Sequence, residues 1–173
     1  MTEHNAGKVD RGALEVDVGG WMKKGAMGGL IAGILFAMAE VIASAAMMGL
    51  KNAWMPLRMN GGIALGRQAL GSTYPLLNAA LAGLAVHLAL SILFGAILGG
   101  FIGFAPTWGA STPLLLFTAS VYGLLLWLVN FYIIAPSAGW NWFGDQTNPA
   151  VQFVAHTFFY GTALGFYLDR YRP

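Results

Sequence analysis

Four polar side chains stand in otherwise apolar runs: Glu40, His87, Asn130 and His156. Their residue types allow several chemistries. A carboxylate with two imidazoles suits a divalent metal, so Glu40, His87 and His156 are the metal candidates. Two histidines on separate helices suit the iron of a haem b, with His87 and His156 as its axial pair. Histidine also titrates near neutrality and suits a proton relay or a small transport path. The residues alone favour a simpler role. Polar groups surrounded by hydrocarbon need partners whatever the function, so the cluster reads first as a structural hydrogen-bonded knot. In that reading a neutral or proton-sharing Glu40 is satisfied by an imidazole or by Asn130.

The elements that must position these residues are read from charge and hydropathy. The chain has 173 residues, of which 57% are hydrophobic and only 9% charged. Soluble domains carry about 25% charged residues, too many more for this chain to be a water-wetted globule. The stretch from Gln68 to Gly144 contains no Lys, Arg, Asp or Glu. Such a stretch belongs in lipid. Four apolar segments follow a polar tail over residues 1–24, at about 25–50, 75–104, 113–135 and 149–168. Each reaches the roughly 20 residues that cross about 30 Å of hydrocarbon. Pro75, Pro106, Pro113 and Pro136 mark the breaks, and Pro149 sits where a helix start tolerates it. The predicted fold is all-α: an integral membrane four-helix bundle over residues 25–173. The polar tail is expected to be mobile. No cleavable signal is expected, because the first apolar run begins only near Gly25.

The four polar residues fall on four different segments. Counted from the loop ends, all four lie between the midplane and the outer third, at depths of roughly 10–18 Å. That depth match predicts one shared interior cluster. Gly25, Gly29 and Gly33, then Gly95, Gly99 and Gly103, then Gly161 and Gly165 recur at four-residue spacing. Such ridges let helix backbones approach closely in lipid. They predict a compact bundle, with some glycine faces left for another subunit.

The connection over 51–74 is too apolar for a free loop, with Met55, Leu57, Met59, Ile63 and Leu70. It predicts an interfacial or re-entrant helix within 56–70, bent at Gly61 and Gly62, and a surface-lying helix ahead of a re-entrant one. Trp140, Trp142 and Phe143 read as interfacial aromatics, and Asp145 as an exposed turn residue. Tyr160, one turn after His156, orients it or lines the bundle. Methionines read as gap fillers rather than copper ligands.

Composition and motifs narrow the function classes. The chain has no cysteine, so disulfides and thiolate sites are out. A net charge of +2 gives no basis for nucleic-acid binding. No Walker, GxSxG or HExxH motif asks for an enzyme. Six basic residues on the terminal side against three on the other predict both termini inside the cell.

The runs WMPLRMNGGIALG (54–66), VHLALSILFGAILG (86–99), LWLVNFYIIAP (126–136) and VAHTFFYGTALGFYLD (154–169) resemble a loose group of small, uncharacterised bacterial four-transmembrane-helix proteins. The resemblance implies that architecture and a bacterial inner membrane, and carries no activity. The expected function is therefore non-enzymatic: an accessory or structural subunit packing against a larger membrane complex. Its expected partners are the bilayer and other membrane subunits or a second copy of itself. The alternatives are a haem- or metal-binding redox protein using His87 and His156, and a small transporter.

Overall fold

The computed structural model describes residues 17–173. Most of the expected polar tail lies outside the described residues, but its last part does not. Helix α1 spans Val18–Met48, so the helix starts seven residues before Gly25. Asp17 explains that start: its carboxylate accepts the free Gly20 N–H at 2.6 Å, satisfying a donor that the first turn leaves unpaired. A short turn at Leu50–Asn52 leads to α2 (Met55–Leu65), and α3 spans Leu76–Phe104. Helix α4 runs Thr112–Ser137 and contains a π-helical turn at Asn130–Ile134. After the short α5 (Trp142–Asp145), a last rod, α6, covers 149–170. It is α-helical over Pro149–Val154, π-helical over Ala155–Thr162 and α-helical again over Ala163–Arg170.

All regular structure among the described residues is helical. Three helices, α1, α3 and α4, are long and apolar enough to cross a membrane. The last rod carries Gln152, His156, Thr157, Tyr160 and Thr162 and is not among them.

Backbone-to-backbone glycine contacts set the packing. A Cβ on Gly25 would collide with the Gly95 carbonyl, one on Gly29 with the Ser91 carbonyl, and one on Gly99 with the Trp21 carbonyl. Helices α1 and α3 therefore run antiparallel at a separation that side chains would forbid. Gly103 lies on Val18 and Trp21, and Gly33 lies on the Ser91 side chain. Gly161 meets the Ala119 carbonyl, and Gly165 meets Ala119 and Leu116. Every glycine of the three predicted ridges is thus engaged inside the chain. The expected spare glycine faces do not exist among them. Gly123 completes the α4–α6 seam against Gly161 and the His156 carbonyl; it stands alone on its helix and so forms no ridge in the sequence.

A dry core closes the bundle at the end where Val18 and Arg170 lie. Leu98, Ile102, Leu115, Leu164 and Leu168 are completely buried there. A polar clasp sits just past it: Thr112 donates to Asp169, Arg172 pairs with Asp169 at 2.6 Å, and Arg172 also donates to the Gly109 carbonyl.

The bend expected in α2 is overturned, and the helix is packed against α3. Helix α2 passes straight through Gly61 and Gly62. Gly83 lies on the Leu57 carbonyl and Gly61 on the Ala79 carbonyl, so α2 runs antiparallel along the first turns of α3. The chain dips into the bundle after Met48 and climbs back to Leu65. Glycine at these contact points permits helix packing where the sequence suggested a break. Arg58 fixes the return, donating to the carbonyls of Ala69, Gly71 and Tyr74.

Candidate functional site: a polar cavity between the helices

The end opposite the dry core is not filled. A cavity of about 770 Å³ extends between α1, α2, α3, α4 and α6, and Glu40, His87, Asn130 and His156 all line it. The shared cluster expected from their matching depths is thus present as the wall of one space. The cavity runs from Phe94, Ser91 and Tyr160 at its floor to Asp145 and Asn148 at its mouth.

Glu40 projects from α1 and is 7% exposed. Its partner is neither an imidazole nor Asn130, as expected, but Gln152: the Gln152 amide donates to Glu40 Oε1 at 2.6 Å. The reason is register. Antiparallel packing of α1 on α6 brings Gly28 against Leu164 and Tyr167, which sets Glu40 opposite the first turns of α6. Sequence reasoning missed Gln152, although Gln152, His156 and Tyr160 repeat every four residues and form one polar stripe.

The two histidines are each oriented by backbone. His87 Nε2–H donates to the Gly33 carbonyl at 2.9 Å, a bond that the close α1–α3 contact makes possible. His156 Nδ1–H donates to the Gln152 carbonyl one turn earlier, at 3.0 Å. Phe36 lies against both rings, stacked on His87 with centroids 5.1 Å apart and edge-on to His156 at 4.7 Å. Phe131 closes on His156 from α4, with centroids 5.5 Å apart.

This arrangement bears on the metal and haem alternatives. No group of three His, Asp or Glu among the described residues is placed to hold a metal, so Glu40, His87 and His156 do not form a ligand set. For haem, Phe36 contacts both imidazoles where an axial pair needs a macrocycle between them. The residues do not fit either group.

Donors and acceptors in the lining are unbalanced. Ser44 donates to the Asn52 carbonyl, Ser91 to the His87 carbonyl, and Tyr160 to the Ser91 carbonyl at 2.6 Å. Asn60 donates to Pro56, and Gln152 to Glu40. Those three hydroxyls are committed, as is one N–H of each amide. Acceptors are left over: Gln152 Oε1 is buried without a partner, and Glu40 makes only the one bond from Gln152 among the described residues. Each histidine has a second ring nitrogen with no partner among the described residues. Neutral imidazole bonded through one N–H presents the other nitrogen as an acceptor.

The two π-helical turns sit at this cavity. Asn130 opens one and His156 lies in the other. Such turns are rare and often occur at functional sites, because the wider turn re-aims side chains. Trp142, expected at a headgroup belt, is instead 5% exposed and donates its indole N–H to the Met59 carbonyl, locking α5 onto α2 beside the mouth. Asp145, read as a plain turn residue, belongs to the mouth itself. The chain matches no known family model, no curated protein and no solved structure.

Proposed function

We propose that this chain is a four-span membrane protein that binds a small amphiphilic molecule in the cavity between its helices, as a small transporter does. The carrying observation is the cavity of about 770 Å³. Ligand sites for small molecules span roughly 300–1,000 Å³, with apolar walls and a few placed polar groups. Here Phe36, Leu90, Phe94 and Phe131 supply the walls, and Glu40, His87, Gln152 and His156 the polar groups. Leaving such polar groups buried without any role would be costly. The structural-knot reading accounts for Glu40 with Gln152, but a knot alone would be packed shut.

Membrane insertion is supported by the outer surface. Ile31, Leu35, Met38, Ile42, Phe117 and Leu125 are among the large apolar side chains pointing outward. In water such a surface would associate; in lipid it is the ordinary exterior. Rod α6 serves as the fourth span, its polar stripe turned to the cavity. The proposed setting is a bacterial inner membrane with both termini cytoplasmic, which puts the mouth on the outer side.

The test uses the neutral fluorophore N-phenyl-1-naphthylamine with protein reconstituted in nanodiscs. Saturable fluorescence enhancement is expected, and Ala43→Phe, which pushes a ring into the cavity from α1, removes it. Enhancement equal to that of empty nanodiscs overturns the reading. The accessory-subunit reading has one observation of its own, an apolar groove between Leu35, Met38, Ile42 and Phe159 on the outer face. A stoichiometric partner recovered in mild detergent is its required signature.

A further inference from the structure

The chemical class of the ligand follows from the imbalance in the lining, and the inference rests on the cavity being a binding site. Glu40 is the one acidic residue deep in the wall; Asp145 adds a second acid at the mouth, and among the described residues neither Lys nor Arg contributes to the lining. The Ser44, Ser91 and Tyr160 hydroxyls are turned onto backbone carbonyls, and the Asn60 and Gln152 amides each give one N–H, to the Pro56 carbonyl and to Glu40. What faces the interior is a carboxyl group with a second oxygen that no described residue bonds, plus the unbonded nitrogens of His87 and His156. Gln152, 4% exposed, contributes a further unpaired acceptor beside them.

An acceptor-rich, acid-bearing pocket rejects anions, because a like charge would sit beside a carboxylate in a low-dielectric space. It also leaves the Glu40 and Gln152 oxygens in need of a donor, which a neutral ether or ester lacks. A group that carries positive charge and several N–H donors satisfies both needs at once, since charge-assisted hydrogen bonds are the strong ones. The aromatic walls are compatible with the same charge: Phe36 and Phe131 present ring faces and edges near the polar cluster, and cations are attracted to ring faces. We propose that the ligand is a protonated amine with an apolar body. Its ammonium is held by Glu40, with His87 and His156 as further acceptors and Gln152 as the positioning residue that keeps the carboxylate in place. The carboxylate at the mouth, Asp145, draws the same charge towards the opening.

The experiment measures binding of three matched probes to the full chain in nanodiscs: 2-(1-naphthyl)ethylamine, 2-(1-naphthyl)ethanol and 1-naphthylacetate. The amine is expected to bind at least about tenfold more tightly than the alcohol, as a charged hydrogen bond over a neutral one implies, and the acetate not at all. Glu40→Gln, which keeps shape and hydrogen bonding while removing the charge, should bring the amine down to the alcohol's affinity and leave the alcohol unchanged. Should the alcohol match the amine in the unaltered protein, the cavity stands as an amphiphile site and the amine assignment is overturned. Preferential binding of the acetate overturns it too, and assigns the histidines an anion-binding role. If none of the three binds, the binding-site reading itself falls. The comparison within the unaltered protein decides the matter even if Glu40→Gln fails to fold.

Discussion

At the scale of single residues, Glu40 and Gln152 carry the tightest argument. A carboxylate with one hydrogen bond in a buried wall depends on that bond, because removing one partner leaves the other with its full desolvation cost. Gln152→Leu is therefore expected to lower unfolding stability by about 1–3 kcal/mol. The double variant Glu40→Leu, Gln152→Leu should recover part of that loss, since no polar group is then stranded. Denaturation in detergent, followed by helical circular dichroism and arranged as a double-mutant cycle, reads the coupling directly. Strict additivity of the two single changes would show that the contact contributes nothing. Glu40, His87, Asn130 and His156 were legible because each interrupts an apolar run, and a lone polar residue in such a run has nowhere to go but inwards. Gln152 was not legible: three residues past Pro149, it reads as the polar start of a segment. Only the register of α1 on α6 turns it towards Glu40.

Helix boundaries were the most legible level of the fold, because Pro75, Pro106 and Pro149 cannot be moved into helix interiors without cost. The seams between helices were half legible. The ridges at Gly25, Gly29 and Gly33 and at Gly95, Gly99 and Gly103 announced close packing, but not that they pack on each other. The α2–α3 contact was hidden altogether, since it joins Gly61 to Ala79 and Gly83 to Leu57 across a loop that looked like surface. These seams make a contrast that can be measured. Gly95→Ala places a methyl group on the Gly25 carbonyl, where only backbone can yield. Overpacking of this kind costs about 1–3 kcal/mol, and here it forces α1 and α3 apart. Gly144→Ala meets open space and is expected to be silent. Thermal unfolding of the two variants side by side tests the seam. Equal midpoints would mean that α1 and α3 are not in contact at Gly95.

For the molecule as a whole, one end is sealed by Leu98, Ile102, Leu115, Leu164 and Leu168, while the other admits a cavity whose mouth carries Asp145. The direction in which that mouth faces decides what reaches it. Basic residues argue for termini inside, and the structure sharpens the argument. Of the three basic residues on the loop side, Arg58 is tied to the Ala69, Gly71 and Tyr74 carbonyls and does not present a free charge to a membrane surface. Lys51 and Arg67 remain there, whereas Lys23, Lys24 and Arg170 gather at the sealed end, where Arg172 is likewise tied, to Asp169 and the Gly109 carbonyl. Positive charge near span ends is retained on the cytoplasmic side. The chain contains no cysteine, so single cysteines can report this without a background. In intact cells, a membrane-impermeant maleimide is expected to label Gly144→Cys, exposed on α5 beside the mouth, and to miss Arg170→Cys until the membrane is permeabilised. The opposite pattern would turn the mouth to the cytoplasm, and the amine would then be drawn from inside the cell. Labelling of both positions in intact cells would mean that the segment between them does not cross the membrane, and that α6 is not a fourth span.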